Sequence, residues 1–381
     1  MIQTSLLSLL ITGLAAVATA RNCKDLTVPI SISALNANLK LQAPGTQVDV
    51  TNFILNLAQP GMNYTEELIS KNSSQFTTIS GNYSIAATYC EPSSGPGSIL
   101  QVLTHGIAFD RSYWDFPAQH HNYSYVNAAL ARGYSTFAFD RLGIGESSHG
   151  DPVREIQTAL EIAALVELTS LLRAAKVPGI SAKYGKVVHV GHSYGSVQTY
   201  ALTAAHPSDL SDGIALTGFS LDIGDFVPYF LLGGNFVPAR AASATLARYP
   251  AGYLASADIT AAQVNFFAPG DFDPAILKAA FEAGEPVAVG ELLTLGGGIA
   301  GNNTFGGPVL VITGERDIPF CGGNCGVSTP SLPAQANQSL TNAKPFEAVV
   351  VPGAGHGLNL EYSAQNTYTS ILDFFDANVK S

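Results

Sequence analysis

The sequence predicts an α/β fold, with a mainly parallel central sheet flanked by helices and an inserted, mainly helical cap. Segments with helical periodicity lie between strand-like runs, most clearly residues 155–175, which Val177-Pro178-Gly179 terminates. Strands that alternate with helices form parallel sheets joined by crossover helices. The strand-like apolar runs are residues 99–104, 135–140, 186–192, 213–217, 309–313 and 348–351.

Composition sets the size of the core and excludes one class of partner. The chain has 381 residues, and 46% of them are hydrophobic, which is enough for one large domain with an insertion. Only 12% are charged, and the net charge is −11. Nucleic-acid binding needs clusters of Lys and Arg to contact phosphates, and the sequence has no such cluster. We therefore expect a small-molecule substrate and no nucleic-acid partner.

Residues 1–20 have the pattern of a secretory signal peptide. An apolar run from Leu6 to Val17 precedes Ala18-Thr19-Ala20, which fits a small-residue cleavage site. The run is too short to span a bilayer comfortably, and no other run of about 18 apolar residues follows. A buried N-terminal helix is the alternative interpretation. We expect a secreted protein without stable membrane insertion.

Sequons and cysteines also favour the secretory pathway. The four cysteines form an even set, as expected in an oxidising compartment. Cys321 and Cys325 could close a small loop, which would leave Cys23 to pair with Cys90, but three pairings are open. A zinc site at Cys321 and Cys325 lacks the second pair of ligands that structural zinc requires. The sequon asparagines are Asn63, Asn72, Asn82, Asn122, Asn302 and Asn337.

The strongest catalytic motif is Gly-x-Ser-x-Gly at residues 191–195. A strand-like run precedes it and a helical segment follows it, which is the context of a nucleophile elbow. The turn is tight, so Gly191 and Gly195 provide the space that flanking side chains would fill. Ser193 would then project at the N-terminus of a helix, where developing negative charge is stabilised. We predict Ser193 as the nucleophile.

A serine nucleophile needs a general base, and only two histidines follow Ser193. His206 lies at the predicted end of the elbow helix, whereas His356 lies in a loop directly after a strand. We therefore predict His356 as the base, and later as the acid that protonates the leaving group.

The acid that orients the base should come from another strand end. Asp317 follows the strand at 309–313 and is the predicted acid, because it can fix the tautomer of His356. Asp222, after the preceding strand, is the alternative, and Glu315 is interpreted as a solvated turn residue.

Two backbone N–H groups should form an oxyanion hole for the tetrahedral intermediate. One donor is predicted at Tyr194, directly after the nucleophile. The other is predicted at Ile107, in the loop after the strand at 99–104. Gly106 allows the backbone to approach closely there.

With these motifs in order, the sequence resembles the α/β-hydrolase superfamily, of the capped esterase and lipase type, over roughly residues 85–380. The resemblance depends on His105-Gly106, the DRLGIGES segment at 140–147, the Ser193 elbow, and Asp317 with His356. The resemblance implies an α/β-hydrolase fold. The cap and the N-terminal extension resemble those of secreted fungal members. The loop at Gly106 departs from the His-Gly-Gly-Gly form, which argues against one lipase subgroup.

These patterns divide the chain into a signal peptide (1–20), the N-terminal part of the hydrolase core (21–220), a cap (221–306) and the C-terminal part of the core (307–381). The cap segment breaks the strand–helix rhythm. We expect it to form an apolar pocket over Ser193. Its aromatic residues are Phe226, Tyr229, Phe230, Phe236, Tyr253, Phe266, Phe267 and Phe272.

The predicted function is hydrolysis of a carboxylic ester, lactone or similar acyl compound with an apolar moiety, through an acyl-enzyme. No metal or organic cofactor is expected. An acyltransferase or lyase with the same triad is the first alternative, and an inactive binding protein on the same fold is the second. Epoxide hydrolysis and dehalogenation need a carboxylate where Ser193 stands. A dinucleotide site at 143–148 is disfavoured because Ser148 replaces the third glycine.

Overall fold

The structure is a computed structural model that describes residues 21–69 and 74–380. The predicted signal peptide, residues 1–20, lies outside the described residues. The described strands are β1 (Arg21–Ala37), β2 (Phe76–Pro92), β3 (Ile99–Thr104), β4 (Ser135–Phe139), β5 (Lys186–His192), β6 (Ile214–Thr217), β7 (Phe236–Pro238), β8 (Tyr253–Ser256), β9 (Val287–Ala288), β10 (Val309–Gly314) and β11 (Phe346–Val351).

Helices connect and cover these strands. They are α1 (Gln47–Leu57), α2 (Tyr64–Leu68), α3 (Ala118–His121), α4 (Tyr125–Ala131), α5 (Thr158–Arg173), α6 (Tyr194–Ala205), α7 (Ile223–Gly233), α8 (Ala239–Ala242), α9 (Ile259–Phe266), α10 (Pro274–Glu282), α11 (Val289–Thr294), α12 (Ile318–Cys321), α13 (Leu332–Gln335) and α14 (Ala364–Asn378).

The main sheet has eight strands in the order β1-β2-β4-β3-β5-β6-β10-β11. Strand β2 pairs antiparallel with both of its neighbours, and all other pairs in the sheet are parallel. Each of the six predicted strand-like runs is a strand of this sheet. The architecture confirms the predicted mainly parallel sheet flanked by helices.

Both faces of the sheet are covered, because side chains of a strand point alternately to opposite faces. In β3, Ile99 and Leu103 join one buried hydrophobic cluster, and Leu100 and Val102 join the other. Such doubly buried strands read as continuous apolar runs, which is why the sequence reveals them. The carboxyl ends of the parallel strands carry the loops that follow β3, β5, β10 and β11.

The sequence pattern did not reveal the antiparallel pair β1 and β2. These strands pair over residues 21–37 and 76–92, in a register that sets Cys23 opposite Cys90. The structure joins these two cysteines in one disulfide and Cys321 with Cys325 in the other. These pairs are one of the three pairings that the sequence left open, and they are consistent with an extracellular protein.

The segment between β6 and β10 departs from the βα rhythm. It contains α7 to α11, and also the three-stranded antiparallel sheet β7-β8-β9, which the sequence did not predict. Residues 38–69, here called the N-terminal segment, pack against it. Gln47 Nε2 donates to the carbonyl oxygen of Phe236 at 3.0 Å, and Thr65 Oγ1 donates to that of Leu293 at 2.7 Å.

Candidate active site

Ser193 occupies a strained turn between β5 and α6. Its φ of 56° and ψ of −121° lie outside the regions that residues with a side chain prefer. A Cβ at position 191 would overlap the Gly195 carbonyl oxygen, and one at 195 would overlap that of Thr104. Both glycines are therefore required by close backbone contacts. The geometry is that of a nucleophile elbow.

The environment of Ser193 suits a nucleophile that carries developing negative charge. Its N–H donates to the carbonyl oxygen of Thr217 at 2.9 Å, which fixes the turn against β6. Helix α6 begins at Tyr194, so the positive end of the helix dipole lies at the serine. Ser193 is 8% exposed, and the exposed part faces a cavity.

The structure brings His356 and Asp317 together. His356 Nδ1 lies 2.6 Å from Asp317 Oδ2, and both side chains are buried. Asp317 Oδ1 accepts from the backbone N–H of Phe320 at 2.8 Å, which fixes the orientation of the carboxylate. Asp222, the alternative acid, lies at the start of α7, and it is Asp317 that bonds the imidazole.

The His356 ring is held between two aromatic rings. Phe320 stacks at 5.6 Å between ring centroids and Phe266 at 5.9 Å. A Cβ at Gly218 would lie 2.9 Å from His356 Cε1, so the backbone also packs closely against the imidazole. His356 Nε2 is buried and has no hydrogen-bond partner among the described residues. This nitrogen is therefore available to a group that enters the site.

The loop after β3 places the backbone of Ile107 beside Ser193. Ile107 and Ser193 line the same cavity, and the Ile107 N–H has no acceptor among the described residues. Tyr194 is the first residue of α6, so its N–H has no acceptor within the helix. A Cβ at Gly106 would lie 2.7 Å from Ser193 Cβ, so only glycine fits there without displacement.

His206 and Glu315, for which the sequence predicts no catalytic role, make other contacts. His206 ends α6, and its Nδ1 lies 3.7 Å from Asp209 Oδ1. Glu315 is exposed, and its Oε2 accepts from the Gly353 N–H at 2.8 Å, which ties together the turns after β10 and β11.

Sequence reasoning missed Glu361, which holds the loop that carries His356. Its Oε2 accepts from the Gly355 N–H and its Oε1 from the Ala268 N–H, both at 2.7 Å. Ala268 follows α9, so one buried carboxylate joins the histidine loop to the segment between β6 and β10. No local motif marks this role, because the two bonded N–H groups come from distant parts of the chain.

His192, inside the elbow motif, was also missed. Its ring stacks on Tyr113 at 4.3 Å between centroids and lies 4.8 Å from the His356 ring. Burial, together with the neighbouring His356 and His105, lowers the pKa of His192 well below its usual value. A neutral His192 avoids charge repulsion with a protonated His356.

A cavity of about 440 Å³ opens over Ser193. The predicted cap contributes only part of its wall, because residues of the N-terminal segment also line it. Of the aromatic residues predicted to form the pocket, only Phe230 lines this cavity. Phe266 and Phe267 line a separate cavity of about 190 Å³. Apolar lining residues include Leu57, Pro60, Met62, Ile107, Val227, Pro228, Phe230, Leu292, Leu293, Leu295, Pro319 and Phe320.

The glycine-containing turn after β4 is filled by a side chain of its own. Asp140 Oδ2 accepts from the Glu146 N–H at 2.9 Å, and Asp140 Oδ1 accepts from the Arg111 N–H at 3.0 Å. A Cβ at Gly145 would overlap the Asp140 carboxylate. The turn therefore encloses the Asp140 carboxylate.

Residues 21–69 and 74–380 contain neither a metal-binding cluster nor a membrane-spanning helix. No group of three or more His, Cys, Asp or Glu side chains is arranged to hold a metal ion. No helix in these ranges combines the length and apolarity needed to cross a bilayer.

Comparison with solved structures shows related folds at low sequence identity. An esterase from Thermogutta terrifontis has a TM-score of 0.52 and 15% identity, over 81% of this chain and 97% of that chain. Epoxide hydrolase A from Mycobacterium thermoresistibile has a TM-score of 0.50 and 16% identity, over 78% and 96%. A bromoperoxidase from Bacillus anthracis has a TM-score of 0.50 and 18% identity, over 78% and 96%. At these identities the likeness concerns the fold alone.

The sequence comparison identifies the family. No protein with curated annotation matches the chain. Residues 101–366, which make up more than half of the chain, match the model of the alpha/beta hydrolase family. This range includes the elbow, the Asp317–His356 pair and the Ile107 loop. The chain belongs to the alpha/beta hydrolase family.

Proposed function

We propose that the protein is a secreted serine hydrolase that cleaves a carboxylic ester, lactone or similar acyl compound with an apolar moiety. The observation that carries the proposal is the position of Ser193. It lies on a strained elbow, at the N-terminus of a helix and at the wall of an apolar cavity. The buried His356–Asp317 pair supplies the base that a serine nucleophile needs.

In the acylation step, Ser193 Oγ attacks the carbonyl carbon while its proton passes to His356 Nε2. The hydrogen bond from Nδ1 to Asp317 leaves Nε2 as the basic nitrogen and stabilises the imidazolium that forms. The carbonyl oxygen becomes an oxyanion, which the N–H groups of Tyr194 and Ile107 bind. His356 then protonates the leaving alcohol, and the acyl group remains on Ser193.

Deacylation repeats these steps with water. His356 Nε2 takes a proton from a water molecule, and the hydroxide attacks the acyl carbon. The second tetrahedral intermediate uses the same two N–H donors. Its collapse releases the carboxylic acid and returns the proton to Ser193 Oγ. His356 thus carries one proton from Ser193 to the leaving alcohol and one from water back to Ser193, so the cycle balances without a cofactor.

The cavity wall supports an apolar substrate. Its volume of about 440 Å³ lies within the ~300–1,000 Å³ that small-molecule sites occupy. Leu57 and Met62 from the N-terminal segment face the cavity along with Leu292 and Leu293 of α11. Burial of an apolar acyl or alcohol group against these residues contributes about 25 cal/mol per Å².

The nucleophile also separates this proposal from the chemistry of one structural neighbour. One similar fold is an epoxide hydrolase. That reaction needs a carboxylate nucleophile at the elbow, and this chain has Ser193 there. Ester cleavage is therefore the reaction that the site supports best.

Labelling with a fluorophosphonate probe tests the nucleophile. We expect the wild-type protein to be labelled and Ser193→Ala to be unlabelled. Ser196→Ala is the matched control, because Ser196 is a buried serine on the same helix whose Oγ donates to the Thr217 carbonyl oxygen at 2.8 Å. Absence of labelling in folded wild-type protein would contradict the nucleophile assignment.

A panel of p-nitrophenyl esters tests the substrate class. We expect kcat/KM to increase from acetate to butyrate and longer acyl chains, because each added CH₂ that is buried contributes about 0.8 kcal/mol. A succinyl monoester of similar length is the charged control. Preference for the charged or the smallest acyl group would contradict the apolar pocket.

Secretion is the remaining part of the proposal. The asparagines of the five sequons in the described residues, all except Asn72, are exposed and so accessible to glycosylation. Expression of the full chain in a eukaryotic secretion host should give protein in the medium whose N-terminal residue is Arg21. Retention in the cell with residues 1–20 intact would contradict secretion.

A further inference from the structure

One arginine and two glutamate side chains form a fully buried cluster next to the elbow. Arg141, after β4, is bonded by Glu161 of α5 and Glu291 of α11. Its Nη1 donates to Glu161 Oε1 at 2.7 Å and also to Glu291 Oε1. We call these residues the Arg141 cluster. Buried ion pairs seldom add net stability, because desolvation of the charges offsets their attraction. A cluster of this kind therefore calls for another explanation.

The cluster packs directly against Tyr194. The guanidinium carbon of Arg141 lies 4.7 Å from the centroid of the tyrosine ring. The tyrosine hydroxyl lies 2.7 Å from Glu161 Oε2 and 2.8 Å from Thr158 Oγ1. Arg141 Nε and Nη2 have no acceptor among the described residues, so the arrangement favours contact with the ring over full pairing of the guanidinium.

The backbone of Arg141 reaches the second donor loop. Its N–H donates to His105 Nε2 at 3.0 Å. This bond makes Nε2 an acceptor, so the proton of the neutral ring lies on Nδ1, which donates to the Gly106 carbonyl oxygen at 2.8 Å. Ile107 follows directly. Arg141 therefore contacts the supports of both N–H groups that the proposed mechanism uses.

Glu291 connects the same cluster to the cavity wall. Its Oε2 accepts from the Ala288 N–H at 2.6 Å, which holds the start of α11. The next two residues, Leu292 and Leu293, line the cavity over Ser193. A displacement of α11 would therefore act on both the substrate wall and the guanidinium above Tyr194.

We propose that the Arg141 cluster positions both oxyanion donors and ties their geometry to the cavity wall. This inference rests on the proposed function, because it needs the N–H groups of Ile107 and Tyr194 to bind the oxyanion. The cluster side chains do not touch the reacting atoms, so they act as positioning residues. A donor misplaced by about 1 Å can lower kcat roughly 100-fold.

Protonation of Glu161 gives the cluster a pH dependence. Burial, with the charge of Glu291 beside it, raises the pKa of Glu161 to about 8, although Arg141 lowers it. Tyr194 and Tyr253 also face these carboxylates, and burial keeps both phenols protonated. Below pH 8 Glu161 therefore keeps its proton. Above this pH, loss of the proton adds a negative charge beside the Tyr194 hydroxyl, 2.7 Å away, and activity should fall.

Tyr194→Phe is the first test, because it removes the hydroxyl and keeps both the ring and the backbone N–H. We expect kcat for p-nitrophenyl butyrate to fall about tenfold or more, while KM stays within about twofold. Tyr200→Phe is the matched control. Tyr200 is a buried tyrosine on the same helix, and its hydroxyl donates to the Gly301 carbonyl oxygen at 3.1 Å. The kcat of Tyr200→Phe should stay within about twofold of the wild-type value.

A transition-state analogue separates positioning from a loss of stability. A trifluoromethyl ketone forms an oxyanion on the serine. Its inhibition constant should increase in Tyr194→Phe by the same factor by which kcat falls. Glu161→Gln should remove the fall in kcat between pH 7 and 9. Glu291→Gln perturbs the cluster from α11, and should lower kcat and raise KM together.

The outcomes distinguish this inference from the function on which it rests. Ser193→Ala with wild-type activity would overturn both. An inactive Ser193→Ala with unchanged kcat and inhibitor binding in Tyr194→Phe and Glu291→Gln would overturn the positioning role alone. Equal losses of kcat in Tyr194→Phe and Tyr200→Phe would also overturn it, because they would indicate a general structural effect. If Tyr194→Phe does not fold, kcat and KM of Glu291→Gln test the positioning role, and unchanged values would overturn it.

Discussion

Gly106→Ala is the substitution that most sharply perturbs the proposed oxyanion hole. The added Cβ would lie 2.7 Å from Ser193 Cβ and 3.1 Å from the His192 carbonyl oxygen. The φ of Gly106 is outside the left-handed region, so alanine meets no backbone strain there. The effect of the substitution comes from these contacts alone. The added methyl group would lie between the nucleophile and the predicted Ile107 donor, and the distance between these two groups must be maintained for catalysis.

The size of the effect follows from the contact distance. Carbon atoms pack best at about 3.5–4.0 Å, so the loop and the serine must separate by roughly 1 Å. A donor at about 2.9 Å from the oxyanion would then lie near 3.9 Å, which is no longer a hydrogen bond. Loss of one such donor lowers kcat by about 10²–10³, or roughly 3–4 kcal/mol. KM should change little, because the donors bind the transition state more tightly than the ester.

Steady-state kinetics with p-nitrophenyl butyrate measure this effect. Gly185→Ala is the matched control, because a Cβ there meets no heavy atom within 4 Å and its φ is also ordinary. The control should keep wild-type kcat, and both variants should keep a cooperative thermal transition. A folded Gly106→Ala protein with kcat within about threefold of wild type would refute the assignment of the second donor to this loop.

Three further predictions use other parts of the structure. Asp317→Asn should lower kcat by about 10⁴, whereas Asp222→Asn should leave it unchanged; the reverse result in steady-state assays would move the acid to the other strand end. Burial raises the pKa of Glu161 from 4.5 to about 8. The contribution of its protonated carboxyl to the free energy of unfolding is therefore complete below pH 4.5 and is lost as pH rises to 8. Tm should therefore fall less between pH 5 and 8 in Glu161→Gln than in wild type, and an equal fall contradicts the shift. Thr65→Val removes the bond to the Leu293 carbonyl oxygen, and should raise KM for long-chain esters with little change in kcat.

Much of the central sheet and the elbow could be predicted from the sequence, because their signals are local. Parallel strands buried on both faces read as apolar runs, and the tight turn at Ser193 requires glycine on both sides. Asp317 and His356 could be paired because both follow strands whose carboxyl ends meet at one edge. The structure places the two side chains 2.6 Å apart. Their catalytic roles stay predictions until activity is measured.

The missed features all depend on contacts between distant segments. The sequence assigned the pocket to residues 221–306, but Leu57 and Met62 of the N-terminal segment also line it. Nothing local to these residues indicates that the segment packs there. Arg141 is buried against Glu291, and Glu361 against the Ala268 N–H, both far along the chain. A charged residue read from sequence is expected to be exposed, so their burial becomes visible only in the fold.

The measurement that tests the central claim most directly is the pre-steady-state burst with p-nitrophenyl butyrate. Wild-type protein should release one equivalent of p-nitrophenolate per active site before the steady state, and rapid-quench mass spectrometry should find the butyryl group on the peptide that contains Ser193. Ser193→Ala should show neither the burst nor the adduct. A butyryl adduct on another residue, or undiminished turnover in Ser193→Ala, would contradict the acyl-enzyme mechanism at this elbow.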